Sequence, residues 1–103
     1  MDKNKKQKLE AAGWKVGSAA DFLNLSPPEN SIIELRLTLS EALKKHRIEA
    51  NLTQENFAKL LNSSQSRIAK MEAGDPSVSL DLLIRSLFGL GVDIRRLSKI
   101  IAP

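Results

Sequence analysis

Residues 53–77, TQENFAKLLNSSQSRIAKMEAGDPS, are punctuated so regularly that their local structure can be read one residue at a time. Thr53 is a good N-cap for QENFAKLL, because its hydroxyl can accept from an amide that the first helical turn leaves unpaired. Asn62 tolerates the left-handed conformation that stops a helix. Ser64 then caps QSRIAKMEA, Gly74 ends it, and Asp75-Pro76 forces a loop. The stretch predicts two short helices joined by a turn of three or four residues. Ala58 is small where the helices must cross closely, Ile68 and Met71 turn the second helix's apolar side inward, and Phe57 and Leu61 supply the opposing side.

The same grammar continues on both sides. Downstream, Ser79 caps LDLLIRSLFG, Gly91 ends it, and Asp93 caps a last short helix, IRRLSKII. Upstream, Ser26-Pro27-Pro28-Glu29 combines an N-cap, a first-turn proline and a glutamate three residues after the cap, so a long helix is expected to begin there. Ile33, Leu35, Leu37 and Leu39 alternate with polar residues as a strand would, so residues 32–39 carry a competing signal. Helix is favoured, because Ile32, Leu35, Leu39 and Leu43 also fit the helical period and no turn signal intervenes before Asn51. Further upstream, Lys3, Lys5, Lys6 and Lys8 precede Leu9 on a short helix ending at Gly13, and Ser18 caps another that carries Phe22 and Leu23. The lysines read as a solvated face and Trp14 as a core plug. The expectation is an all-α chain: an N-terminal helical extension over residues 1–25 and a domain over residues 26–103.

Composition narrows the function classes. A chain of 103 residues is long enough for one small domain. Leu, Ile, Val and Phe number 30, enough to build a core. With no cysteine and a single histidine, disulfides, thiolate metal sites, cysteine nucleophiles and two-histidine zinc sites are excluded. The carboxylates are scattered and no base is set beside a nucleophile, so neither an enzyme nor a cofactor is expected. No apolar run approaches a membrane span, and a cytoplasmic protein is expected. Sixteen Lys and Arg against twelve Asp and Glu give +4, which permits an anionic partner without demonstrating one.

Residues 52–77, within a longer likeness over roughly residues 39–92, resemble the XRE or lambda-repressor-like helix-turn-helix family. The resemblance implies a five-helix DNA-binding domain whose second short helix lies in the major groove of double-stranded DNA. Asn62 stands where the family usually has glycine; asparagine is the next best left-handed residue, so the turn should survive. On the second short helix, Gln65, Ser66, Ala69 and Lys70 share the side away from Ile68 and Met71 and are expected to contact bases. Gln54, Lys59, Ser64 and Arg67 are expected to contact phosphates. Glu72 sits where the helix dipole disfavours an acid, so a cation should be near it. In the resembled family the positions of Arg47 and Glu72 pair across the domain. His46, among Lys44, Lys45 and Arg47, reads as a solvated helix residue.

The leading expectation is a sequence-specific transcriptional regulator, reading DNA with residues 65–73 as a homodimer built chiefly on the C-terminal helix. The N-terminal third also loosely resembles HigA-like antitoxins, which implies a second role in holding a RelE-like ribonuclease toxin through Trp14 and residues 8–39. A coactivator-like protein adaptor is the third reading.

Overall fold

The structure, a computed structural model, describes residues 26–103. The expected N-terminal helices, the lysine run, Trp14, Phe22 and Leu23 lie outside the described residues. Five helices follow in order: α1 (Pro27–Glu49), α2 (Gln54–Leu60), α3 (Gln65–Glu72), α4 (Leu80–Gly89) and α5 (Ile94–Ile101). Among the described residues there is no strand.

Each helix starts where a side chain accepts from its first turn. Ser26 and Glu29 form a reciprocal capping box, Glu29 N–H donating to Ser26 Oγ at 3.3 Å and Ser26 N–H to the Glu29 carboxylate at 3.4 Å. Thr53, Ser64, Ser79 and Asp93 cap α2 to α5 by accepting from the amides of Asn56, Arg67, Leu82 and Arg96. The stops are equally local. Asn51 and Asn62 take φ of 59° and 55°, and Gly74 and Gly91 take 73° and 91°. α3 ends one residue earlier than its sequence suggested, because Ala73 serves as its C-cap before the left-handed Gly74.

Residues 32–39 are helical, and burial explains how the competing patterns resolve. Leu39 and Leu43, four apart, are completely buried and Leu35 packs partly against them, whereas Ile33 and Leu37 are exposed. The alternation therefore distributes leucines to both sides of a helix. Ile32, expected on the inward stripe, is also exposed.

The core draws on every segment of the unit that runs from Glu34 to Pro103. Leu39 and Leu43 of α1, Phe57 and Ala58 of α2, Ile68 and Met71 of α3, and Leu83 and Leu87 of α4 are buried together with Val78 and Val92 of the connections. Leu97 and Ile100 of α5 pack partly onto this cluster. Ser86, buried in α4, donates to the Leu82 carbonyl at 2.8 Å and lies 3.5 Å from Met71 Sδ, so its hydroxyl is satisfied beside α3. At Gly74 the chain passes so close to α1 that a Cβ would stand 2.9 Å from Leu37 Cδ2, which adds a steric demand to the positive φ.

The α2–α3 turn depends on Asn62 holding a left-handed backbone. Asn62→Ala should lower stability by about 1–2 kcal/mol, the cost of placing an ordinary side chain there, while Asn62→Gly should change it by less than about 1 kcal/mol. Urea denaturation midpoints of the two variants check this.

Candidate nucleic-acid interface

α3 has only eight residues, and the period of the helix sorts them cleanly. At about 100° per residue, Ile68 and Met71 mark the inward side, and both are completely buried. Ser66 lies opposite them, flanked by Ala69 and Lys70; Gln65 and Glu72 fall on one shoulder and Arg67 on the other. Gln65, Ser66, Arg67 and Lys70 are exposed and Ala69 is half-buried. All four residues expected to meet bases thus lie outside the core.

One shoulder is tied down by a chain of polar side chains. Arg47 Nε donates to Glu72 Oε2 at 2.6 Å and Arg47 Nη2 to Glu72 Oε1 at 3.1 Å, a two-point contact with the side chains 11% and 4% exposed. Arg47 Nη1 also donates to the Leu52 carbonyl at 2.7 Å, so one guanidinium joins α1, the α1–α2 turn and α3. Glu72 Oε1 accepts a further bond from Gln54 Nε2 at 3.2 Å, and Gln54 Oε1 in turn accepts from Gln65 Nε2 at 3.1 Å. The series Arg47, Glu72, Gln54, Gln65 runs from a buried ion pair to the exposed start of α3. Gln54, expected at a phosphate, has both ends of its amide engaged within the protein.

The other shoulder opens into a surface cleft of about 370 Å³ between α3 and the start of α4. Ser64, Ser66, Arg67 and Lys70 line it from α3 and its cap; Ser77 and Ser79 line it from the far side. Two helix caps and two exposed cations therefore meet at one concavity, the combination that suits an anion. Ser77 and Ser79 were not read from the sequence as site residues; Ser79 was legible only as a cap. The loop carrying Ser77 is fixed by Asp75, whose carboxylate accepts the Ser77 N–H at 2.8 Å. The Ser77 backbone and side-chain bonds, helped by nearby Lys70 and Arg36, hold Asp75 below its ordinary value of 3.8. Arg36 of α1 donates to the Val78 carbonyl and secures the same loop. Lys59 is exposed on α2 and makes no side-chain hydrogen bond among the described residues.

The family model described as helix-turn-helix matches residues 43–97, just over half of the chain. The chain belongs to the helix-turn-helix family. The matched region begins inside α1 and ends inside α5, so it contains the α2–α3 pair whole. This is a family of DNA-binding domains of transcription regulators with the XRE-type all-helical fold. No curated protein and no solved structure matches the chain. No helix of the described residues is long and apolar enough to cross a membrane.

The ion pair behind the helix-turn-helix makes a sharp stability prediction. Arg47→Ala or Glu72→Ala strands a charge that is nine-tenths buried or nearly so and should cost about 3–5 kcal/mol, whereas replacing both by apolar residues of similar volume should recover most of that loss. Chemical denaturation of the two single variants and the double variant measures both effects.

Proposed function

We propose that this chain is a sequence-specific regulator that reads the major groove of double-stranded DNA with α3, with Gln65, Ser66, Ala69 and Lys70 toward the bases. What carries the reading is the match of the whole α2–α3 pair to a DNA-binding family together with the polar, acid-free outward side of α3. Gln65 can bond adenine at two points, Lys70 can donate to guanine, and Ala69 can touch a thymine methyl. Arg67, Ser64, Ser77 and Ser79 then receive backbone phosphate in the cleft beside α3, and Lys59 adds a cation. Gln54 acts by holding Gln65 in place, so the amide meets DNA already oriented.

In a selection from random duplexes the purified protein should recover a defined motif. Gln65→Ala should lose about 1–3 kcal/mol on that site and relax its preference at one base pair. Arg67→Ala and Lys59→Ala should weaken all sequences alike, each reducing the slope of log K against log salt by about 1. Recovery of no motif, with binding unchanged in Gln65→Ala, would refute the reading.

A single eight-residue helix reads few bases, which favours two copies on half-sites about 34–36 Å apart. The apolar residues open to a partner differ in part from those read in the sequence. Leu97 and Ile100 are partly buried against the core, whereas Phe88 is 44% exposed, Ile94 76% and Ile101 46%. We therefore place the two-fold contact at Phe88, Ile94 and Ile101. Light scattering should give a dimer for the intact chain and a monomer for Phe88→Glu/Ile94→Glu; a monomer at high concentration, with one copy on a palindromic site, would count against it. The antitoxin reading draws on Trp14 and residues 8–39, which lie partly outside the described residues and include exposed Ile32, Ile33 and Leu37; the adaptor reading would use the helical domain itself for protein contacts. The family match stops short of residues 8–39, and no observation favours either reading over DNA binding alone.

A further inference from the structure

A second concavity, of about 490 Å³, runs between the second half of α1 and α5. Ala42 and Ile100, both half-buried, form an apolar floor, and Lys45, Arg96 and Lys99 stand exposed around it. Among the described residues none of these three cations forms an ion pair; the pairs present are Arg47 with Glu72 and Arg85 with Asp81. His46 also lines the groove. Its Nδ1 donates to the Ala42 carbonyl at 2.8 Å, so Nε2 is the nitrogen left for a partner. Glu41 is the one acidic side chain in the lining, and Pro103 completes it.

The groove is set apart from the reading side. On α1, Arg36, Leu43 and Arg47 share the side that meets Val78, the core and Glu72, whereas Thr38, Glu41 and Lys45 lie on the far side of the same helix. An occupant of the groove would therefore leave α3 and its cleft open.

We propose that this groove docks an acidic, amphipathic helical segment of a partner protein. A shallow trough between two helices, with an apolar floor and a cationic rim, fits a helix that lays its apolar stripe inward and its carboxylates outward. Duplex DNA has phosphates for the rim, but its thymine methyls lie within the major groove, away from a backbone contact to Ala42 and Ile100. A small organic anion would remain mostly uncovered, because Lys45, Arg96, Lys99 and Glu41 are all exposed, whereas such ligands are held where about 70–90% of their surface is buried. An acidic helix satisfies floor and rim together, and attraction between the two fields speeds the encounter.

The test uses the full chain without DNA and a labelled synthetic peptide, an amphipathic helix of leucine and glutamate, read by fluorescence anisotropy. A peptide with lysine in place of glutamate is the control. The acidic peptide should bind saturably and the basic one should not. Lys45→Ala/Arg96→Ala/Lys99→Ala should weaken the acidic peptide about tenfold, while Lys59→Ala/Lys70→Ala should leave it within about twofold. Glu41→Gln, which removes the opposing carboxylate without removing any packing, should tighten it. Absence of saturable binding overturns the proposal, as does an equal loss in both lysine-bearing variants. A third overturning result is that the groove variant, its melting temperature unchanged, loses as much affinity for a DNA site as Lys70→Ala; the groove would then be a contact to flanking DNA. Failure of DNA reading alone leaves the peptide result standing, because no DNA enters the measurement.

Discussion

The proposed reading side depends on the fixing of α3 by groups outside it. A helix of eight residues is too short to persist in water by its own hydrogen bonds, since nucleation costs more than two turns return. Ile68 and Met71 anchor its middle in the core, Ser64 closes its start, and the Arg47–Glu72 contact holds its end. The last differs in kind from the other two. Apolar contacts tolerate a small roll of the helix, whereas a two-point guanidinium–carboxylate contact fixes direction as well as distance. Because Arg47 also binds the Leu52 carbonyl, the turn that sets the start of α2 is held by the same group. The relative placement of α1, α2 and α3 thus converges on one side chain.

That convergence reaches the exposed surface through Gln54. A glutamine at the start of a helix would ordinarily sample several rotamers in solvent. Here its amide is held by Glu72 at one end and holds Gln65 at the other. Ordering a long polar side chain on binding costs about 0.5–1.5 kcal/mol. A Gln65 already oriented by the protein avoids part of that cost, and the saving is larger for a base whose donor and acceptor match the preset amide than for one that requires a different rotamer. On the proposed reading, the buried ion pair therefore bears on specificity as well as on stability.

The elements of the fold were legible because each boundary is set by a local rule. Thr53, Ser64, Ser79 and Asp93 cap as their side chains dictate, and Asn51, Asn62, Gly74 and Gly91 stop helices where a left-handed residue is needed. The sides of helices were less legible, because burial is decided by neighbours that a sequence does not place. Ile32 fits the inward stripe of α1 and is exposed; Leu97 and Ile100 fit an interface and are spent partly on the core. A cation near Glu72 could be inferred from an acid at the wrong end of a helix, and the family resemblance implied Arg47 as its partner. The Gln54–Gln65 bond and the cleft with Ser77 and Ser79 could not, since they bring together residues from separate elements whose side chains have no periodic signature.

The choice of an ion pair at Arg47 and Glu72 has a physical logic that stability does not supply. Two apolar residues of similar volume would leave the fold about as stable, because burying two charges cancels much of their attraction. They would also remove the only acid on α3, so avoiding repulsion of a phosphate backbone does not by itself select the pair. What an apolar pair lacks is a second acceptor. Glu72 Oε1 receives both Arg47 Nη2 and Gln54 Nε2, so the carboxylate passes the rigidity of the core to a residue at the edge of the proposed reading side. Its charge is meanwhile cancelled by a guanidinium within hydrogen-bonding distance, well inside the roughly 8 Å over which salt would otherwise be needed to screen it. A neutral glutamine at position 72 could accept from Gln54 but would pair less strongly with Arg47, leaving that cation half satisfied in the interior. A carboxylate answered by an arginine meets all three demands at once: a fixed helix end, an oriented Gln54, and little negative field toward DNA.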